Sequence, residues 1–212
     1  MELFSTELSQ FAEKYTSPED ALLKEIADFT TANHAQPHML SGHVQGLLLS
    51  MISYMLQPRR VLEIGTFTGY STLCLAKGLA ADGVLHTLEL RQETADIAHN
   101  FFKKSTLYAQ IKLHVGDAKE IIPTLGADWD LVFIDADKKG YIDYFDMVLP
   151  SVKKNGFILV DNIFFHGESF KDEPKGKSGK AVQAFNNYVL QRGDIEKLVL
   201  TIRDGLYLIR KI

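Results

Sequence analysis

Acidic residues close five successive apolar runs of this chain. Glu63, with Gly65, ends the first; Glu89 ends the second, Asp117 the third, Asp135 the fourth, and Asp161 with Asn162 the fifth. Carboxylates at strand ends serve two kinds of chemistry. Glu89, about twenty residues past a glycine turn, is placed to accept hydrogen bonds from both hydroxyls of a ribose, which selects a nucleoside without a 2′-phosphate. Asp135, Asp161 and Asn162 offer hard oxygen donors of the kind that Mg, Mn or Ca ions take. A strand-ending turn at Asp161 and Asn162 and a helix cap at Asp135 would explain the same residues.

The glycine turn lies in Val61-Leu62-Glu63-Ile64-Gly65-Thr66-Phe67-Thr68-Gly69-Tyr70-Ser71. An apolar run, an acid, two glycines and a helical pattern from Ser71 to Leu79 read as strand, tight loop and helix. Glycines let a ligand lie against bare backbone and allow positive φ, and a helix start suits a carboxylate or phosphate. A dinucleotide fingerprint reads G-x-G-x-x-G; here Phe67 stands at the second glycine position, which argues against an NAD-linked oxidoreductase. A structural glycine turn is the alternative reading of these residues.

These residues must be carried by alternating elements. Helices are predicted over residues 2–15 and 18–33, the second capped by Ser17 with Pro18 at its first position. A polar loop containing His38 and His43 precedes a helix from Val44 to Leu56, with Ser41 as its cap. Strands follow at Val61–Ile64, Val84–Glu89, Ile111–Val115, Asp130–Ile134 and Phe157–Val160, separated by helical patterns over 92–105 and 141–152 and a short helix ending at Pro123. Lys154-Asn155-Gly156 reads as the turn into the fifth strand, and His166 to Lys180 as a mobile loop. A helix (Ala181–Gln191), a strand (Glu196–Ile202), an Asp204-Gly205 turn and a strand (Leu206–Ile209) complete the pattern, the last two pairing as an antiparallel hairpin. Strands alternating with helices imply right-handed crossovers and a doubly wound, mostly parallel α/β domain.

Bulk properties narrow the classes of function. The chain of 212 residues suits one α/β domain, and a formal net charge of −4 gives no global attraction to nucleic acid or anionic membrane. The one cysteine, Cys74, cannot form an internal disulfide and reads as a small buried apolar residue. The N-terminus lacks a signal-peptide pattern, and the apolar stretch Gly46–Leu56 is too short for a bilayer, so a cytoplasmic protein without membrane contact is expected.

Phe133-Ile134-Asp135-Ala136-Asp137-Lys138, followed after about one helix by Leu159-Val160-Asp161-Asn162, resembles the metal and catalytic region of the catechol and caffeoyl-CoA O-methyltransferase family. Met39-Leu40-Ser41-Gly42-His43, Leu62 to Ser71, Val115-Gly116-Asp117-Ala118 and Arg203-Asp204-Gly205-Leu206 also resemble bacterial members of that family. The E-x-G-x-x-x-G spacing of Glu63, Gly65 and Gly69 looks like motif I of class I methyltransferases that use S-adenosylmethionine (SAM). The resemblance covers nearly the whole chain. It implies a seven-stranded, mostly parallel sheet with an antiparallel C-terminal hairpin, in a single domain over 1–212 whose first 57 residues form helices and a lid and whose remainder (58–212) forms the core.

The resemblance also implies roles. Glu63, Gly65 and Ser71, with Thr66 and Gly69 of the same turn, would line the methionyl end of SAM; Glu89 and Leu90 would meet the ribose, and Asp117 with Ala118 the adenine. Met39 and Ser41 would close over the cofactor. Asp135, which also borders the cofactor, would hold one divalent cation (Mg, Mn or Ca) together with Asp161 and Asn162, and Lys138 matches the catalytic lysine. Without the resemblance, Lys138 would read as a surface lysine. The implied reaction is methyl transfer from SAM to a hydroxyl of a small aromatic vicinal diol by a homodimer whose N-terminal helices contribute to the contact. The alternative acceptor is 5-hydroxyuridine in tRNA, with Lys171, Lys175, Lys177 and Lys180 meeting phosphates, although Asp172 and Glu173 interrupt them. The chain departs from the catechol pattern at Asp137 and His166, where aromatic and proline gatekeepers are expected, and at Tyr207, which aligns with an acid. Phe164 and Phe165 would line an aromatic pocket or belong to the core.

Overall fold

The computed structural model describes residues 6–212, which divide into two compact units, 6–118 and 119–212. Residues 2–5 of the expected first helix lie outside them.

The first unit opens with α1 (Thr6–Tyr15) and α2 (Ala21–Asn33). α2 starts later than Pro18 because Asp20 caps it: the Asp20 carboxylate accepts from the Leu23 N–H at 2.9 Å. A 3-10 turn (Pro37–Met39) leads to α3 (His43–Leu56), whose cap is Gly42 at φ 74° rather than Ser41. The 20-residue stretch Pro37–Leu56, with mean hydropathy 1.2, is long and apolar enough to cross a membrane by length and composition alone. The break at Gly42 leaves 14 residues in α3, about 21 Å of helix against a hydrocarbon core of about 30 Å. Leu49 and Ile52 on its inner face are buried.

Three parallel strands follow, β1 (Arg60–Ile64), β2 (Val84–Glu89) and β3 (Ile111–Val115), in the spatial order β3-β2-β1. Ile64 faces Leu88, and Glu89 faces Val115, so the strands end nearly level. Their crossovers are α4 (Tyr70–Ala76), buried along its whole length, and α5 (Gln92–Phe102), which buries Ala95, Ala98, Phe101 and Phe102. Ser53 Oγ donates to the Leu75 carbonyl at 2.6 Å and ties α3 to α4.

The short α6 (Ala118–Ile121) carries the chain from the first unit into the second, where β4 (Trp129–Ile134), α7 (Tyr141–Val148), β5 (Val152–Asp161), α8 (Gly176–Gln191), β6 (Ile195–Leu200) and β7 (Leu206–Lys211) follow. The strand order is β4-β5-β7-β6, with β4 and β5 parallel and β7 antiparallel to both its neighbours. Trp129, Phe133, Tyr141, Phe145 and Phe185 fill the core of this unit. Seven strands, parallel except for β7, with helices between them give the doubly wound, mostly parallel α/β class with an antiparallel C-terminal hairpin that the sequence predicts.

Three local expectations fail for identifiable reasons. Lys154-Asn155-Gly156 lies inside β5 as an irregularity, with Asn155 at φ 64°; β5 runs from Val152 to Phe157 where β4 runs only from Trp129 to Leu131. α8 begins at Gly176, so part of the expected loop is helix. Glu168 receives the Lys175 N–H at 2.7 Å, and Gln183 Nε2 donates to the Lys171 carbonyl at 2.6 Å, contacts that outweigh the weak helix propensity of the Gly-Lys-Ser-Gly run. The hairpin connection is Thr201 to Gly205 rather than two residues, since Leu200 faces Leu206.

Candidate active site

In the first unit the glycine turn is pinned to the end of β2. The Gly65 and Thr66 N–H groups both donate to the Leu88 carbonyl, at 3.0 and 3.1 Å, and the Gly69 N–H closes the turn on Thr66 O at 3.0 Å. Gly69 is required twice over: its φ is 91°, and a Cβ there would stand 2.5 Å from the Phe102 ring.

Glu63 is fully buried beneath this turn. Ser71 Oγ donates to its Oε1 at 2.6 Å, Thr87 Oγ1 to its Oε2 at 2.6 Å, and Thr72 Oγ1 also to Oε2. Thr66 Oγ1 lies 2.6 Å from Thr87 Oγ1. A hydroxyl has one proton to give, and that of Thr87 goes to the carboxylate, so Thr66 donates to Thr87. Two residues expected along the methionyl end of the cofactor, Glu63 and Ser71, are therefore bonded to each other, and Thr66 of the same turn joins them through Thr87.

Glu89, also buried, accepts from the Phe67 N–H at 2.9 Å through Oε2 and from the Arg91 N–H at 3.1 Å through Oε1. The Gly116 N–H donates to the Glu89 carbonyl at 2.9 Å and draws Asp117 and Ala118 alongside. Leu90 is 70% exposed beside this acid, an apolar surface suited to a nucleoside. Met39 sits half exposed at the end of the 3-10 turn, Ser41 is buried, and Asp117 is exposed. Cys74 is buried, with its thiol pushed up to about 12 chiefly by desolvation, which suits packing rather than nucleophilic chemistry.

The second unit holds the remaining expected residues. Ile134 faces Val160 across the parallel pair β4 and β5, so Asp135 and Asp161 stand at neighbouring strand ends. Lys138 Nζ donates to Asp135 Oδ1 at 2.9 Å and to Tyr141 Oη at 2.6 Å, and Tyr141 Oη in turn donates to the Asp161 carbonyl at 2.8 Å. The Asn162 N–H donates to Asp161 Oδ1 at 2.8 Å, with Asn162 in the left-handed region at φ 55°.

Asp137 sets the turn that presents Lys138. Its carboxylate accepts from the Gly140 N–H at 3.2 Å and from Tyr144 Oη at 2.5 Å. A Cβ at Gly140 would meet the Tyr144 ring at 2.5 Å. The Lys138 side chain is only 14% exposed. Burial alone pulls its ammonium down, but the charge of Asp135, with Tyr141 and Asp161 behind it, more than reverses this and holds it above the ordinary lysine value. Burial raises the Tyr141 phenol, which stays a neutral link between Lys138 and Asp161.

Tyr141, Thr72 and Thr87 were not marked in the sequence, and Asp137 was marked only as a departure from the catechol pattern. A signal existed for Tyr141, three residues after Lys138, because positions i and i+3 eclipse in a 3-10 turn. Of the departures noted in the sequence, Tyr207 is buried against Phe185, and Phe164 is buried beside Phe170. Among the described residues, no group of three or more His, Cys, Asp or Glu side chains is placed to hold a metal ion. The expected set differs in having two carboxylates and the Asn162 amide, all oxygen donors, and by donor chemistry it fits a hard divalent cation.

Residues 13–212 match the O-methyltransferase family. The chain is 30% identical over 195 residues to a probable caffeoyl-CoA O-methyltransferase of Dictyostelium discoideum, covering 89% of this chain and 84% of that one. It is 30% identical over 172 residues to a catechol O-methyltransferase of Niastella koreensis, covering 79% and 77%. An O-methyltransferase of Bacillus cereus, solved in complex with S-adenosylhomocysteine, superposes with a TM-score of 0.89 at 25% identity, covering 98% of both chains. With the glycine turn over a buried acid, the ribose-type acid at the end of β2 and this likeness along nearly its full length, the chain belongs to the O-methyltransferase family, as an enzyme that takes its methyl group from SAM.

Proposed function

We propose that the enzyme methylates one hydroxyl of a small aromatic vicinal diol, of catechol or caffeoyl type, with the help of one divalent cation. The observation that carries this reading is the pairing of Asp135 and Asp161 at neighbouring strand ends with the Lys138 ammonium bonded between Asp135 and Tyr141. The names of the matched caffeoyl-CoA and catechol enzymes support the diol.

The first unit supplies groups for the donor. Glu89 offers a carboxylate to the ribose hydroxyls, Leu90 and Met39 offer apolar cover, and the Gly65 to Gly69 turn brings bare backbone to the methionyl end. The second unit supplies groups for the acceptor. Asp135, Asp161 and Asn162 would hold Mg, Mn or Ca, which when bound would orient both diol oxygens, lower the pKa of the reacting hydroxyl and oppose the proton on Lys138. Once neutral, Lys138 Nζ takes the hydroxyl proton as general base. The methyl carbon then moves in line: its bond to the sulfonium breaks, its bond to the acceptor oxygen forms, and a neutral thioether leaves. Little covalent work falls to the protein, so positioning supplies most of the catalysis.

We also propose a cytoplasmic homodimer. Leu8, Phe11 and Tyr15 form an exposed apolar stripe on α1, and Met51, Tyr54 and Met55 are exposed on α3. Rows of this kind are characteristic of interaction sites. A monomer by sedimentation at micromolar concentration would remove this part of the reading.

Transfer of methyl from SAM is to be measured with caffeic acid, caffeoyl-CoA and hydroxyuridine-containing tRNA side by side, each with Mg²⁺ and with EDTA. Transfer to a diol that EDTA abolishes is expected. Transfer to tRNA alone would move the function to RNA modification; of the four lysines that reading invokes, Lys171 is already paired with Glu168.

A further inference from the structure

We infer that Thr30 and His34, at the end of α2, are positioning residues for SAM: they hold Phe67 of the glycine turn in a left-handed conformation that keeps its N–H on Glu89. The sequence puts Phe67 where a dinucleotide turn has a glycine, and Phe67 adopts a glycine-like φ of 51°. That region is costly for a bulky side chain, and a residue stays in it only where its surroundings hold it there. One hold is the bond from the Phe67 N–H to Glu89 Oε2 at 2.9 Å. The others come from α2 and its cap. The His34 ring stands edge-on to the Phe67 ring, with centroids 4.5 Å apart, and the Gln36 N–H, donated to His34 Nδ1 at 3.0 Å, fixes the imidazole. At the next position, Thr68 Oγ1 lies 3.0 Å from Thr30 Oγ1.

The direction of the threonine bond decides what its loss does. Thr30 Oγ1 also lies 2.7 Å from the Ile26 carbonyl, which can only accept, so the one proton of Thr30 goes there and Thr68 donates to Thr30. Both threonines are buried, and among the described residues Thr30 is the one hydrogen-bond partner of the Thr68 hydroxyl. Removing the Thr30 oxygen therefore leaves a buried donor on the turn without an acceptor. Either α2 or the turn must move to relieve it. α2 is anchored by the buried Leu23 and Ile26, by the Phe29 ring against Phe101 and by Asp20 paired with Lys77. The turn, strained at Phe67, gains by moving, so it is the part that yields. Phe67 then leaves Glu89, and the affinity for SAM falls with the fraction of molecules whose turn is still in place. The inference rests on SAM being the donor and on Glu89 meeting its ribose.

The test is calorimetric titration of SAM into wild type, Thr30→Val, Thr68→Val, the Thr30→Val/Thr68→Val double variant, His34→Ala and Glu89→Gln, without any acceptor, together with hydrogen exchange of the Phe67 amide followed by NMR. Valine keeps the shape of threonine and removes the hydroxyl. Thr30→Val is expected to weaken binding by about tenfold and to speed exchange at Phe67, and Thr30→Ser to restore both. In the Thr68→Val background Thr30→Val should have little further effect, because no donor is left without an acceptor. His34→Ala should weaken binding by about threefold, and His34→Phe, which keeps an aromatic edge, should recover most of it. Residues that serve only the fold would lower the melting temperature and leave SAM affinity unchanged. That result, a loss of affinity without faster exchange at Phe67, or threonine effects that add would each overturn the inference. Should Thr30→Val fail to fold, His34→Ala and His34→Phe carry the same comparison of affinity with exchange. Wild type that binds no SAM, or Glu89→Gln that binds it as tightly as wild type, would overturn the cofactor reading itself, a result separate from any pattern among the α2 variants.

Discussion

Two strand ends in this protein, one buried and one half-buried, solve the problem of a carboxylate in opposite ways. Glu63 in the first unit is held by the neutral hydroxyls of Ser71, Thr72 and Thr87. Asp135 in the second unit is held by an ammonium, Lys138, which is itself bonded to the Tyr141 phenol. Hydroxyl donors do not titrate in the working range, so the first arrangement fixes geometry and keeps it. The second is built of groups whose charges matter to one another, which is what a proton-moving site requires. Under the proposed function the difference corresponds to a division of labour: binding geometry from the neutral cluster, chemistry from the charged one.

That contrast can be broken most severely at Lys138. Replacing it by Met should lower kcat by about 10²–10⁴-fold, the usual range for a lost general base. SAM affinity should stay within error by calorimetry, because Lys138 is not among the residues expected to hold the cofactor. Equal losses in both quantities would erase the division.

A smaller effect is expected from Glu89→Gln. The amide keeps the shape but loses the charge that the Phe67 and Arg91 N–H groups and a ribose would share, so the Kd for SAM should rise by about tenfold. The affinity for Mn²⁺ should not change.

The smallest effect sharpens the contrast within the first unit. His86 Nδ1 lies 3.0 Å from His114 Nε2, with the rings stacked. Burial, then the charges of His114, Arg60 and Lys112, lower His86 to about 4, and burial lowers His114. A base whose folded value lies below its ordinary 6.5 favours folding in its neutral form. This contribution is complete above pH 6.5 and is lost as pH falls through about 4. Melting temperature should drop across that window, and His86→Gln should flatten the drop, whereas Thr87→Val should leave its slope unchanged.

The strands were legible in the sequence because buried parallel strands read as apolar runs, and their acid ends follow from where those runs stop. β2 and β3 agree with expectation residue for residue. What escaped was decided by tertiary contacts. Asp20 displaced Ser17 as a cap by reaching Leu23, and α8 gained its first turn from contacts to Glu168 and Lys171. In the site, Glu63 stood out as an acid at a strand end, and Lys138 only through the family resemblance. Thr72, Thr87 and Tyr141 did not, since a threonine or tyrosine among apolar neighbours reads as packing until its hydroxyl is seen to have a partner.

The claim that the charged cluster is the acceptor half of the enzyme is tested most directly by titrating Mn²⁺ into wild type and Asp161→Ala and following free Mn²⁺ by electron paramagnetic resonance. The account expects one tightly bound ion per wild-type chain, lost in the variant together with methylation of a diol. Wild type that binds no Mn²⁺, or Asp161→Ala that binds it as tightly, would contradict it.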